Sequence, residues 1–104
     1  MTQNMEALVG GDPALSIVRL VSEIARSLVD SPETVTVEAI PDGESTILRL
    51  RVAPSDLGKV IGRQGRTARS LRTILGAASM KLKHRFSLDI IEEGPPMEGR
   101  ASLQ

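Results

Sequence analysis

Gly62 and Gly65 bracket two polar residues, Arg63 and Gln64, and interrupt a helical pattern in the second half of the 104-residue chain. A four-residue loop that turns sharply between two helices needs backbone conformations that residues with a Cβ rarely adopt, and glycine at both ends supplies them. The sequence therefore predicts two helices joined here by a tight turn. Such a pattern by itself is equally consistent with a turn that binds no ligand.

Apolar periodicity on both sides of this turn predicts the other elements. Helical spacing of apolar residues begins after Asp12, a predicted N-cap, and Pro13, a first helical residue. Two stretches then alternate with period two around a Pro41-Asp42-Gly43 turn, which predicts a hairpin. The predicted elements are a helix at about 13–29, strands at 34–40 and 46–53, a short helix at about 57–61, a helix at 66–84 and a strand at 86–91.

The order helix, strand, strand, helix, helix, strand predicts an α+β fold, a two-layer sandwich whose helices cover one face of a three-stranded sheet. We assign this domain to residues 13–92. Residues 1–12 and 93–104 are rich in glycine, proline and polar residues and have no apolar period, so we expect both to be flexible tails.

The composition excludes most kinds of catalytic site. The chain has no cysteine, one histidine and one aromatic residue, which removes thiolate nucleophiles, cysteine-ligated metals and most acid–base sites. We therefore expect no enzymatic activity, metal, cofactor or small-molecule substrate. No run of eighteen apolar residues and no basic, then apolar, leader occurs, so we expect no membrane contact and a cytoplasmic location.

The formal net charge is zero, but the charge is strongly partitioned along the chain. Residues 49–85 hold ten Lys and Arg and a single acid, Asp56, a balance of +9. Residues 1–48 carry −6 and residues 86–104 carry −3. An ordinary solvated helix face is the simplest interpretation of a basic segment. A polyanion-binding surface requires, in addition, that these cations converge.

The glycine loop gives a reason for convergence. Its exposed amides stand at the N-terminus of the 66–84 helix, where unsatisfied N–H groups and the helix dipole favour a phosphate. Three arginines of this helix lie away from its apolar stripe, and two more project from one face of the second strand. We therefore predict that single-stranded RNA binds by its phosphates, with its bases over an apolar surface. The predicted RNA-binding residues are Arg49, Arg51, Lys59, Ile61, Gly62, Arg63, Gln64, Gly65, Arg66 and Arg69.

The segment 60–65, Val-Ile-Gly-Arg-Gln-Gly, followed by Ile74, resembles the signature of KH domains. The helix-strand-strand order ahead of it resembles the type II arrangement, which implies a three-stranded mixed sheet. Residues from about 13 to 92 are similar to the KhpA family of small bacterial single-KH proteins, especially through 51–68 and 87–90. In KH domains the loop that matches Gly62 to Gly65 clamps about four nucleotides.

The resemblance implies a cytoplasmic RNA-binding protein, an RNA chaperone or post-transcriptional regulator. It further implies a homodimer, or a heterodimer with a second KH protein, KhpB, and a role in cell-envelope and cell-length homeostasis. The alternative is a protein–protein adaptor that uses the KH fold mainly for dimerisation. Among the remaining polar residues, we expect His84 and Asp56 to complement the charge at helix ends rather than to act chemically.

Overall fold

The computed structural model describes residues 13–91 of the chain. The predicted Asp12 N-cap, the two predicted tails and residue 92 lie outside this range. Three short 3-10 turns, at Pro32–Thr34, Pro54–Asp56 and Arg63–Gly65, connect the longer elements. Those elements are α1 (Pro13–Leu28), β1 (Thr36–Asp42), β2 (Ser45–Arg51), α2 (Leu57–Ile61), α3 (Arg66–Leu82) and β3 (Arg85–Ile91).

β1 and β2 form the predicted antiparallel hairpin, with Thr36 opposite Arg51 and Asp42 opposite Ser45. The turn is two residues long, Gly43 and Glu44, and Gly43 adopts a φ of 66°. β1 therefore begins and ends two residues later than predicted. The 3-10 turn keeps Thr34 out of the strand, because its amide bonds the carbonyl oxygen of Ser31 at 3.0 Å.

β3 completes the sheet by pairing in parallel with β2, so the strand order is β1-β2-β3. One antiparallel and one parallel pair make the sheet mixed. Alternate residues of β2 are buried, and Leu48 and Leu50 are fully covered by the helices. This confirms the predicted two-layer α+β sandwich. The buried apolar core consists of Ile17, Val21, Ala25, Val35, Leu48, Leu50, Val52, Val60, Leu71, Leu75, Phe86 and Leu88.

α1 and α3 are amphipathic helices whose apolar stripes face this core. α1 buries Ile17, Val21 and Ala25, and α3 buries Leu71 and Leu75 with Ala68. Each ends slightly earlier than its apolar pattern predicts, and α3 stops where Lys83 takes a left-handed conformation. Within residues 13–91, no helix is both long enough and apolar enough to cross a membrane.

Candidate nucleic-acid interface

Gly62 ends α2 in a backbone conformation that requires glycine. Its φ and ψ are 81° and 167°, a region that residues with a side chain avoid. Its amide donates to the carbonyl oxygen of Gly58 at 2.8 Å. A Cβ added to Gly62 would lie against the hydroxyl of Thr67, 2.7 Å from the Cβ and 2.8 Å from the backbone nitrogen of that residue. The loop and the first turn of α3 are therefore in direct contact.

The turn continues through two left-handed residues, Gln64 at φ 56° and Gly65 at φ 74°. The Gly65 amide donates to the carbonyl oxygen of Gly62 at 3.0 Å, which closes the loop. The sequence predicted the two glycines but not the left-handed Gln64, because glutamine has no special preference for that region. The loop therefore presents Arg63 and Gln64 on a backbone held from both sides.

The outer side of the loop carries backbone donors that no described residue satisfies. Within residues 13–91, neither the Arg63 amide nor the Gln64 amide donates a hydrogen bond, and no side chain caps the start of α3. Both side chains are exposed, and the Gln64 Oε1 accepts a hydrogen bond of 3.3 Å from Arg66 Nη2. Unsatisfied N–H groups at the start of a 17-residue helix favour an anion.

Beside the loop lies an open cleft of about 500 Å³ between α3 and the end of β3. Apolar atoms of Ile61, Ala68 and Ile90 contribute to its lining, and Arg69 and Arg72 stand over it. The guanidinium of Arg72 leans across to β3 and donates to the carbonyl oxygen of Leu88 at 3.1 Å. The cleft therefore combines apolar surface with positive charge.

Four arginines around the loop and the cleft are exposed to solvent and are not paired with acids of the described chain. Arg63, Arg66, Arg69 and Arg72 are exposed, and none has an acidic side chain within ion-pair distance among residues 13–91. A basic helix face that only contacts solvent does not account for the position of these arginines beside unsatisfied amides and an apolar cleft. The structure thus brings together Ile61, Gly62, Arg63, Gln64, Gly65, Arg66 and Arg69 of the predicted site.

Lys59 belongs to a different network. Its Nζ lies 3.4 Å from Asp30 Oδ2 and 3.8 Å from Asp56 Oδ1. The carboxylate of Asp56 is 1% exposed and accepts the backbone amides of Asp30 and Ser31 at 3.1 and 3.0 Å. Asp56 is therefore a buried anchor between the α1–β1 connection and α2, and not simply a charge complement at a helix end. Lys59 therefore has two acidic partners at this anchor.

The structure does not bring Arg49 and Arg51 to the cleft. Their neighbours Leu48 and Leu50 face the helices, so strand alternation puts both arginines on the opposite face of the sheet. Arg49 Nε lies 3.7 Å from Asp89 Oδ2 on β3. The sequence predicted correctly that they share a face, but it did not show which side of the sheet the loop occupies.

His84 follows the C-terminus of α3, where we expected it to complement the helix dipole. Its Nε2 instead lies 2.7 Å from the hydroxyl oxygen of Thr46, a buried residue of β2. The ring also stacks obliquely on Phe86, with centroids 5.0 Å apart. The side chain therefore ties the end of α3 to the sheet.

Comparison with known proteins identifies the family. The family model described as KhpA/KhpB, KH domain matches residues 18–90, which include the loop, α3 and the cleft. The chain belongs to the KhpA/KhpB KH-domain family. This membership confirms the type II KH architecture and the prediction that the chain is not an enzyme.

Several members of the KhpA/KhpB family that bear the name RNA-binding protein KhpA are similar to this chain. The protein from Halalkalibacterium halodurans is 52% identical over 73 residues, which cover 70% of this chain and 96% of that protein. The protein from Treponema pallidum is 51% identical over 73 residues, 70% of this chain and 91% of that protein. The protein from Caldanaerobacter subterraneus subsp. tengcongensis is 50% identical over 72 residues, 69% of this chain and 96% of that protein. No solved structure matches the chain.

Proposed function

We propose that this protein binds single-stranded RNA without catalysis, through residues 13–92. The observation that carries the proposal is the loop Gly62–Gly65, whose unsatisfied amides open beside an apolar cleft and four arginines without ion-pair partners in the described residues. The relatives named RNA-binding protein KhpA support it, because they share the loop-containing region at about half of its positions.

In the proposed complex, the loop amides and Arg63 hold phosphate oxygens, and Arg66 and Arg69 neutralise the adjoining phosphates. The bases lie over Ile61 and the neighbouring apolar cleft. The single aromatic residue of the chain, Phe86, is buried in the core, so stacking on rings contributes little. We therefore expect weak sequence preference over about four nucleotides.

The other predicted residues take lesser roles in this proposal. Lys59 contributes a charge already shared with Asp30 and Asp56. Arg49 and Arg51, on the far side of the sheet, act only through long-range attraction, which salt screens over about 10 Å at 0.1 M. Direct contact is confined to the loop, the start of α3 and the cleft.

The double variant Arg63→Asp/Gln64→Asp tests the proposal. It places two carboxylates at the phosphate position, and aspartate tolerates the left-handed conformation of residue 64. Since juxtaposed like charges cost several kcal/mol, we expect RNA affinity measured by fluorescence anisotropy to fall about 100-fold or more. A matched control, Ser16→Asp/Arg19→Asp on exposed positions of α1, makes the same charge change and should retain most of the affinity. Normal RNA binding by the loop variant would overturn the proposal.

A dimerisation adaptor is the second candidate function, and exposed apolar groups on α3 favour it. Ile74 is 43% exposed and Met80 is 79% exposed, and the two lie within about 120° of each other on the helix. A domain of about eighty residues buries only ~60% of its unfolded surface, so covering such groups in a homodimer adds stability. Sedimentation of the loop variant tests the adaptor, which requires a dimer that forms without RNA, and a monomeric variant would exclude it.

We extend the proposal, on family resemblance, to a cytoplasmic RNA chaperone or post-transcriptional regulator. Its proposed partners are a second copy of the chain and KhpB, and its proposed role is in cell-envelope and cell-length homeostasis. Acceleration of RNA strand annealing by the purified protein tests the chaperone activity. Co-purification with KhpB, with and without ribonuclease, tests the partnership and its dependence on RNA.

A further inference from the structure

A second basic depression lies at the end of α3 that is remote from the glycine loop. It has a volume of about 540 Å³ and is open to solvent. Lys83 and Arg85 contribute its cationic groups, and Glu44 from the hairpin turn is the one acid that residues 13–91 place in its lining. The remaining lining residues are Ser45, Ser79, Met80 and His84. The RNA-binding mode proposed above does not use this depression.

One flank of α3 connects the two depressions. Arg69, Arg72, Gly76, Ser79 and Lys83 follow each other at intervals of three and four residues, which places them in one row along a helix. The row begins in the cleft, which Arg69 and Arg72 line together with Ile90 of β3, and ends at the second depression. At its middle, a Cβ added to Gly76 would find no atom within 4 Å, so the surface there is unobstructed.

Backbone contacts fix the cations at the far end of this row. The carbonyl oxygen of Ser79 accepts the His84 amide at 3.2 Å, and its hydroxyl accepts the Phe86 amide at 2.9 Å. Lys83, which precedes both of these amides, adopts the left-handed conformation with φ 55°. The turn from α3 into β3 thus holds Lys83 and Arg85 on the same depression.

The charge that residues 63–85 bring to this path is of one sign. Residues 63–85 contain seven Lys and Arg and no acid, and none of these seven forms an ion pair within residues 13–91. The helix dipole favours cations near the C-terminus of α3, but it favours Lys81 and Lys83 to the same extent. Lys81 lies on the opposite flank, away from both depressions. A need for charge at the helix end therefore does not explain the row.

We propose that Lys83 and Arg85 form a second phosphate-binding contact for the same RNA strand that the glycine loop holds. The row Arg69, Arg72, Gly76, Ser79, Lys83 is the path between the two contacts, and the helical rise makes it about 21 Å long. The loop of a KH domain clamps about four nucleotides, so the second contact serves nucleotides beyond these four. This inference rests on the RNA binding proposed above.

Oligouridines of 4 and 12 nucleotides test the second contact with the variant Lys83→Asn/Arg85→Gln, because asparagine accepts the left-handed conformation. We expect the affinity for the 12-mer to fall about 10-fold, the equivalent of two modest charge contacts, and the affinity for the 4-mer to stay within about twofold. The slope of log affinity against log salt should become shallower for the 12-mer by about 1.4, or 0.7 per phosphate contact.

The matched control is Arg19→Gln/Lys81→Gln, which removes the same charge, including a cation at the same helix end. It should bind both oligouridines like the wild type. Glu44→Gln provides a variant with a minimal effect on folding, and it should raise only the 12-mer affinity, about twofold. Circular dichroism melting checks that each variant is folded.

Several results would overturn the second contact. They are an unchanged 12-mer affinity in Lys83→Asn/Arg85→Gln, an equal loss for both lengths, or an equal loss in the control. An unchanged affinity would mean that Lys83 and Arg85 complement the helix dipole or bind a protein partner instead of RNA. If the wild type bound neither oligouridine, the proposed RNA binding itself would fail.

Discussion

Gly62 and Gly65 both have positive φ angles, but their surroundings differ. Gly62 combines a glycine-only conformation with close contact to Thr67. Gly65 has an ordinary left-handed conformation, and a Cβ placed on it would find no atom within 4 Å. The first glycine is required by both backbone and packing, and the second by backbone alone.

This difference predicts unequal costs for two alanine variants. Gly62→Ala should lower the free energy of unfolding by about 3 kcal/mol or more, from backbone strain plus the collision with Thr67. Gly65→Ala should lower it by about 1 kcal/mol, the cost of a left-handed alanine less the gain in chain stiffness. Urea denaturation of both variants measures the two values. Equal destabilisation would show that neither the backbone conformation of residue 62 nor its contact with Thr67 adds to the cost found at residue 65.

Gln64 shows where prediction at the level of single residues stops. The glycine spacing alone was sufficient to predict the turn, because glycine is the common solution for positive φ. Nothing in the residue type identified Gln64 as the third position of positive φ, since the hydrogen bond from Gly65 to Gly62 and the start of α3 impose that conformation. Tertiary closure of the loop, not local preference, decides it.

At the level of elements, Asp56 connects the stretch between α1 and β1 to the start of α2. Its buried carboxylate accepts the two backbone amides of Asp30 and Ser31, and Lys59 lies at 3.8 Å. α2 leads directly into the glycine loop, so this anchor fixes one side of the candidate site relative to the core.

Removing the Asp56 carboxylate should loosen this connection. Asp56→Ala leaves two partly buried amides without acceptors, and we expect the free energy of unfolding to fall by about 2–4 kcal/mol. Asp56→Asn retains one acceptor oxygen and should lose about 1–2 kcal/mol. Urea denaturation gives the stabilities, and hydrogen exchange at Asp30 and Ser31 reports the anchor directly. A loss of less than about 0.5 kcal/mol in Asp56→Ala would show that water replaces the carboxylate at no cost.

The elements themselves were predictable because their periods are strong. Alternation at Leu48 and Leu50 predicted the buried face of β2, and both residues are buried in the structure. The partners of Asp56 and the side of the sheet that Arg49 occupies were not predictable, because both depend on how distant elements pack. Periodicity assigns a residue to one face of its own helix or strand. The groups that this face contacts are known only once the helices are packed on the sheet.

For the whole molecule, zero net charge conceals a separation of charge. The segment 63–85 carries +7, whereas the rest of the described chain has five Lys and Arg against eight acids. The ion pairs of Arg49 and Lys59 fall in this net acidic part. A polyanion therefore meets a locally cationic molecule, and association with RNA should depend on ions far more than the net charge suggests.

Salt dependence is the measurable consequence of this separation. With three or four phosphate contacts at the loop, the slope of log affinity against log salt for a short single-stranded RNA should be about −2 to −3. Raising monovalent salt from about 50 to 200 mM should then weaken binding about 20- to 50-fold. Dimerisation through apolar groups such as Ile74 should change little over the same range, and sedimentation at both salt concentrations provides that internal comparison. A slope near zero for RNA would mean that phosphate contacts do not hold the strand, and the four arginines without ion-pair partners would then need another explanation.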